Sequence, residues 1–230
     1  MSSKKVLSTS PLAPCNWSPG FIMAFAYVNG FILKYGDVIG DRELLLSDEQ
    51  YEFHSKVAIA LMSVTSILFA MANIECCFMT AGAVMACLAT AKLDCIEHAI
   101  PGMACLFAPI VILHIFKDAS WHNIDLSGEG WERGMVAGGQ LLIFGSFEEW
   151  CHETFDDHPN TFIRLFFDVR PINFFITYGF YWLSTKDMLV PKKFNKLVNW
   201  WNIFTNSLLF GLGYETFRSA IGYINTHFLS

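Results

Sequence analysis

The stretch Glu148-Glu149-Trp150-Cys151-His152-Glu153-Thr154-Phe155-Asp156-Asp157-His158 holds the densest set of ligand-type side chains in the chain. Wound as a helix, it puts Glu148, His152 and Asp156 on one face, with Glu149, His152 and Glu153 overlapping it, because residues three and four apart are neighbours. Carboxylate and imidazole at that spacing can bind iron, manganese or zinc, and helix-bundle di-metal sites use a Glu-x-x-His on each of two helices. Here only Glu149-x-x-His152 fits, so Glu149, His152 and Glu153 are candidate ligands for a single divalent metal. The competing reading is a solvated helix end, where such residues need no ligand.

Three other groups could carry chemistry. His114, Asp118 and His122 fall at i, i+4 and i+8 and would face one way if the helix ran past Ser120. Arg164, Asp168 and Arg170, together with Glu215, lie in or beside apolar segments, and an ionisable side chain within a membrane span is a functional hypothesis by default. They are candidates for an ion or proton path, or for an anchor to a neighbouring subunit. Asp94, Glu97 and His98 open a further apolar segment, where acids stabilise the positive helix end by about 0.3–1 kcal/mol without any catalysis. The negatives are useful too. No CxxC, GxGxxG, P-loop, GxSxG or HExxH occurs, and the HxxxH and HxxHH boxes of membrane desaturases are absent.

The elements that must position these residues are apolar helices. From Val57 to Ala91 the only charged side chain is Glu75. At about 1.5 Å per helical residue this run is too long for one crossing of a ~30 Å hydrocarbon layer and long enough for two. Asn73-Ile74-Glu75 is its one polar point, which predicts a transmembrane hairpin with the other helices packed around it. Those helices are expected at Phe21 to about Tyr35, His98 to Phe116, Arg133 to Phe147, Phe162 to Leu183 and Leu197 to Phe217. The fold class is therefore all-α: a polytopic transmembrane bundle of about seven spans, or about six if the fifth helix lies shallow. One integral membrane domain covers residues 1–230, with a polar N-terminal tail over 1–18.

Composition agrees. The chain is 53% hydrophobic and 16% charged, against about 25% charged in soluble domains. A net charge of −6 and the lack of a basic stripe exclude a nucleic-acid partner. Lys192, Lys193 and Lys196 read as a juxtamembrane set facing anionic lipid. The 7 cysteines read as small buried hydrophobes in helix contacts. Lys and Arg in the loops place the N-terminus on the cytoplasmic or matrix side. The acids of Asp37 to Glu52, Asp94, Glu97 and Glu148 to Asp157 then share the opposite face. No secretory h-region follows Lys4 and Lys5, while an acid-free, Ser- and Lys-containing start is compatible with organellar targeting.

Pro19-Gly20 opening helix one, His54 opening helix two, and Arg164 before an aromatic helix six ending at Leu183 resemble the transmembrane protein 45 family of multi-pass membrane proteins. The resemblance implies a membrane bundle and assigns no catalytic residue. The family's histidines after its middle helices are not reproduced by Trp121-His122-Asn123. The expected function is a non-catalytic integral membrane subunit of a larger assembly, with an energy-converting organelle membrane such as the mitochondrial inner membrane as its setting. Membrane lipids and other membrane subunits are the expected partners, and bound lipid and a divalent metal the expected non-protein groups. Two alternatives stand beside it: a cation or proton transporter using Arg164, Asp168 and Glu215, and a metal-dependent membrane enzyme built on Glu149, His152 and Glu153.

Overall fold

The structure is a computed structural model that describes residues 17–44, 46–115, 127–168, 172–188 and 199–228, and every regular element among them is an α-helix. In chain order these are α1 (Pro19–Gly40), α2 (Asp48–Ala70), α3 (Ile74–Ala89), α4 (Ile96–Ile115), α5 (Gly128–Phe155), α6 (Thr161–Asp168), α7 (Ile172–Thr185) and α8 (Trp200–Phe228).

Local chemistry explains where several of them start. Ser18 accepts from the Phe21 N–H at 3.2 Å, with Pro19 at the first helical position, where its missing N–H costs nothing. Ser47 and Gln50 cap α2 reciprocally, each side chain taking the other residue's backbone N–H. Asn73 accepts from Cys76 N–H at 2.7 Å and so starts α3 at the break the sequence predicts. Ser127 does the same for α5 through Gly130 N–H at 3.1 Å.

Contacts along the helices give their directions. Glu75 with Arg133, Gly82 with Gly138, Ala86 with Gly145 and Lys92 with Glu149 occur in that order, so α3 and α5 run parallel. The pairs Gly30 with Phe210 and Tyr35 with Phe217 set α1 parallel to α8. Tyr35 with His54 and Asn29 with Thr65 set α2 antiparallel to α1. Tyr181 with Trp201 and Phe174 with Phe204 set α7 antiparallel to α8. Thus α1, α3, α5 and α8 rise together while α2, α4 and α7 return. The end to which the first set rises holds Asp37, Glu97, His98 and Glu149, and is called the charged end below.

Glycine decides which helices touch most closely. A Cβ added at Gly82 would strike the Gly138 carbonyl, and one at Gly30 or Gly213 would strike the Phe210 or Tyr27 carbonyl. Backbones therefore meet directly in the pairs α3–α5 and α1–α8. This differs from the expected architecture, in which the α2–α3 hairpin is the centre. The hairpin forms, but the intimate partners of its region lie far along the chain, because the small residues that permit close approach are there.

Two boundaries also differ from expectation. The fifth helix, expected from Arg133 to Phe147, extends from Gly128 to Phe155, because charges that look like loop are paired across helices: Arg133 with Glu75 at 3.1 Å, and Lys92 with Glu149 and Glu153 at 3.4 and 2.9 Å. The sixth, expected as one helix from Phe162 to Leu183, is two: α6 ends at Asp168 and α7 begins at Ile172. Pro171, which lies outside the described residues, is a residue that cannot donate to a continuing helix.

The core is largely apolar, with Ile22, Ala26, Phe69 and Cys76 in one cluster and Met79, Ala137, Trp200 and Ile203 in another, but polar groups are buried within it and much of the outside is apolar. Asn29, Lys34, Glu97, Gln140, Glu148, Glu149 and Asn206 are buried. Ile110, Met135 and Ile143 are 64%, 63% and 63% exposed, among many large apolar side chains on the outside. Inside, Asn29 Oδ1 accepts from Thr65 Oγ1 at 3.1 Å and Ser66 Oγ at 3.0 Å, tying α1 to α2. Of the cysteines, Cys76, Cys105 and Cys151 are buried, and the six described ones are free thiols.

Candidate functional site

The connection from α3 to α4 is where ligand-type side chains meet. Ala91 adopts a left-handed φ of 57° and turns the chain, with Lys92 N–H bonded to Cys87 O at 2.8 Å. The chain then runs Asp94-Cys95 into α4. The Cys95 carbonyl accepts from His98 and Ala99 N–H at 3.2 and 2.9 Å, so α4 starts directly after it. This fixes Cys95 and His98 one turn apart, with Cys95 Sγ 3.3 Å from His98 Nδ1. Asp94, Cys95 and His98 each offer a ligand atom, all within 4.8 Å of one another. Gly40, in the last turn of α1, makes room: a Cβ there would come within 2.8 Å of Cys95 Sγ.

The far side of the imidazole is set by α1 and α8. His98 Nε2 lies 2.7 Å from Asp37 Oδ1. A nitrogen lone pair that close to a carboxylate would be repelled, so the proton of neutral His98 belongs on Nε2 and the lone pair on Nδ1. Asp37 also receives the Tyr214 hydroxyl, and Lys34 Nζ stands 3.8 Å from it and 3.5 Å from Glu43. Lys34 lies over the Tyr214 ring at 5.4 Å. Beside this cluster Ser55 donates to Glu97, which lines an open cleft of about 720 Å³ with Gly40, Arg42, Tyr51 and Glu52.

Thiol, imidazole and carboxylate in this order invite comparison with a cysteine nucleophile and its base. The electrostatics oppose that reading. Burial pushes the Cys95 thiol up, a hydrogen bond with the His98 backbone pulls it down, and the charges of Glu97 and Asp94 push it up again. An activated nucleophile needs the reverse.

The residues singled out from sequence are placed as follows. Glu149 is buried and Glu153 exposed, and both carboxylates close on Lys92. The hydrogen bond with Glu153 raises the Lys92 pKa, burial opposes that, and the Glu149 charge adds to it. His152 is half-buried on the same helix. The expected metal triad of Glu149, His152 and Glu153 thus has an ammonium ion between its two carboxylates. Among the described residues the group with converging ligand atoms is Asp94, Cys95 and His98 instead. Arg164 is exposed on the short helix α6, not inside a long span. Glu215 pairs with Arg218 at 3.7 Å, both partly exposed. Arg170, Asp118, His122, Lys192, Lys193 and Lys196 lie outside the described residues, as do the side chains of Asp168 and His114.

Comparison with protein-family models, curated proteins and solved structures finds no match. The site must speak for itself. Sequence reading finds Asp94, Glu97 and His98 but passes over Cys95, although Cys95 and His98 at i, i+3 are a visible signal. Asp37, Lys34 and Tyr214 carry none, since only folding brings them to His98.

Proposed function

We propose that this chain is a multi-pass integral membrane protein of about seven spans that serves as a non-catalytic subunit of a larger membrane assembly. The observation that carries the membrane reading is the apolar exterior: large side chains such as Ile110, Met135, Ile143 and Phe162 stand exposed along the helices, while amides and paired charges are buried within an apolar core. In water an exterior this rich in large apolar side chains is a liability. In lipid it is the expected exterior. Helices α1 and α2 are long and apolar enough to cross a membrane, and α3 and the 96–107 part of α4 are shorter apolar helices. Helix α5, at 28 residues, carries its charges toward its ends, and α8, at 29, carries Glu215 and Arg218 near its middle, where they pair with each other. The strongly two-faced α6 suits the interfacial plane.

The subunit reading rests on glycines that face nothing. Among the described residues, Gly139, Gly179 and Gly211 have no neighbour within 4 Å where a Cβ would stand. Each weakens its helix by about 1 kcal/mol relative to alanine, and a neighbouring helix that needs close approach supplies the reason for them. The same proposal includes a mitochondrial inner membrane setting, the N-terminus on the matrix or cytoplasmic side, lipid as the immediate surroundings, and kinship with the transmembrane protein 45 family. The test is native mass in a mild detergent, with cross-linking. Migration within a much larger complex is expected, and a lone chain would overturn the subunit reading.

A cation or proton carrier is the second reading, favoured by the enclosed Lys34–Asp37–His98–Tyr214 cluster between α1, α4 and α8. It predicts ion uptake into proteoliposomes that Asp37→Asn abolishes.

A further inference from the structure

We propose that Asp94, Cys95 and His98 bind a divalent cation of the zinc class, with Asp37 holding His98 in the ligating orientation. The donor set is the first argument. Thiolate, imidazole and carboxylate together suit zinc, whereas calcium and magnesium take oxygen ligands alone.

Geometry is the second. Bonds of ~2.3 Å to sulfur and ~2.0–2.1 Å to nitrogen at a tetrahedral angle separate the two ligands by roughly 3.5 Å. Cys95 Sγ and His98 Nδ1 stand 3.3 Å apart, close to that separation, and the three ligand atoms lie within 4.8 Å of one another.

The third argument is what lies behind the imidazole. Metal-bound histidines give their other N–H to a carboxylate, which fixes the ring and the tautomer. Asp37 Oδ1 stands 2.7 Å from Nε2, near enough to take its proton after a small turn of the ring, although the N–H is not aligned on it as the ring stands, and Nδ1 faces Cys95. Asp37 comes from a different helix and is itself held by Tyr214 and Lys34. The ring is therefore oriented by tertiary structure and not by the α4 turn alone. The surroundings also favour a cation, since Asp37, Asp41, Asp94 and Glu97 outnumber Lys34 near the ligands. The positive N-terminal end of α4 works against an ion here, since the ligands sit at its first turn, and the surrounding carboxylates offset it. Asp94 is exposed, which leaves the fourth position open to water.

The test uses the purified full-length protein in detergent. Cobalt(II) is titrated as an optical stand-in for zinc, and bound metal is counted after dialysis. The expected result is one cobalt per chain with thiolate-to-cobalt charge-transfer absorption, displaced by zinc, kept in Cys77→Ser and lost in Cys95→Ser. Asp37→Asn should weaken binding 10- to 100-fold while keeping the same stoichiometry at excess metal. In the unaltered protein, zinc should protect Cys95 from alkylation, read by mass spectrometry. Less than stoichiometric cobalt, a charge-transfer band unchanged in Cys95→Ser, or alkylation of Cys95 at equal rates with and without zinc would each overturn the proposal. The alkylation measurement decides the matter even if the Cys95 variant does not fold.

Discussion

Lys92 is the residue on which the α3–α5 pair depends at the charged end. Its ammonium reaches Glu149, whose side chain is 10% exposed, and Glu153, whose side chain is 51% exposed. The two carboxylates are not equivalent. Removing the partner of a buried charge costs about 1–3 kcal/mol or more, while an exposed pair is worth at most ~1 kcal/mol. Lys92→Ala should therefore lower stability by about 1–3 kcal/mol and Glu153→Gln by less, measured by thermal unfolding in detergent. Equal losses would mean that Glu149 is solvated. Because the Lys92 pKa is raised, its contribution is complete below the ordinary lysine range and disappears only above it. The gap between Lys92→Ala and the unaltered protein should thus stay flat from about pH 6 to 9. A gap that opens across that range would point to a histidine, not to Lys92.

At the scale of elements, glycine contacts and helix ends make the sharpest predictions. Gly82→Ala puts a methyl against the Gly138 carbonyl, whereas Gly139→Ala meets nothing within 4 Å. The first should cost about 1–3 kcal/mol, and the second should be neutral or stabilise by up to ~1 kcal/mol, both read by unfolding in detergent. Ala91 ends α3 in the left-handed region, where a side chain costs roughly 1–2 kcal/mol. Ala91→Gly should therefore raise stability by about 1 kcal/mol, and an unchanged melting temperature would show that the strain is relieved locally. These elements also show what could be read beforehand. Asn73 announces the α2–α3 break because its cap is a local bond to Cys76. The true length of α5 is hidden, because Arg133 and Glu149 resemble loop residues until Glu75 and Lys92 are seen beside them. The Glu149-x-x-His152 spacing gives no hint that Lys92 lies against the Glu149 and Glu153 carboxylates. Asp37 tells nothing about His98 in sequence, since their contact exists only in the folded bundle.

For the whole molecule, the alternation of helix directions makes a claim about sides. In the proposed membrane arrangement α1, α2 and α3 each cross once, which puts residue 17 and the Lys92–Glu153 region on opposite faces. Impermeant labels introduced at these two places in intact vesicles should react from different sides. Labelling from one side only would mean that one of α1, α2 and α3 does not cross. The pairing of α1 with α8 has a consequence for how the protein is made. Asp37 and Tyr214 are 177 residues apart, and the glycine contacts of Gly30 and Gly213 belong to the same pair. Until α8 leaves the ribosome, α1 must wait with its backbone groove empty and Lys34 and Asp37 lacking their last partner. Folding is thus completed by a late step that closes the bundle. A nascent chain cut short before Trp200 would carry an open α1 face that quality-control machinery can recognise, so truncation should lead to degradation and not to a partly working protein.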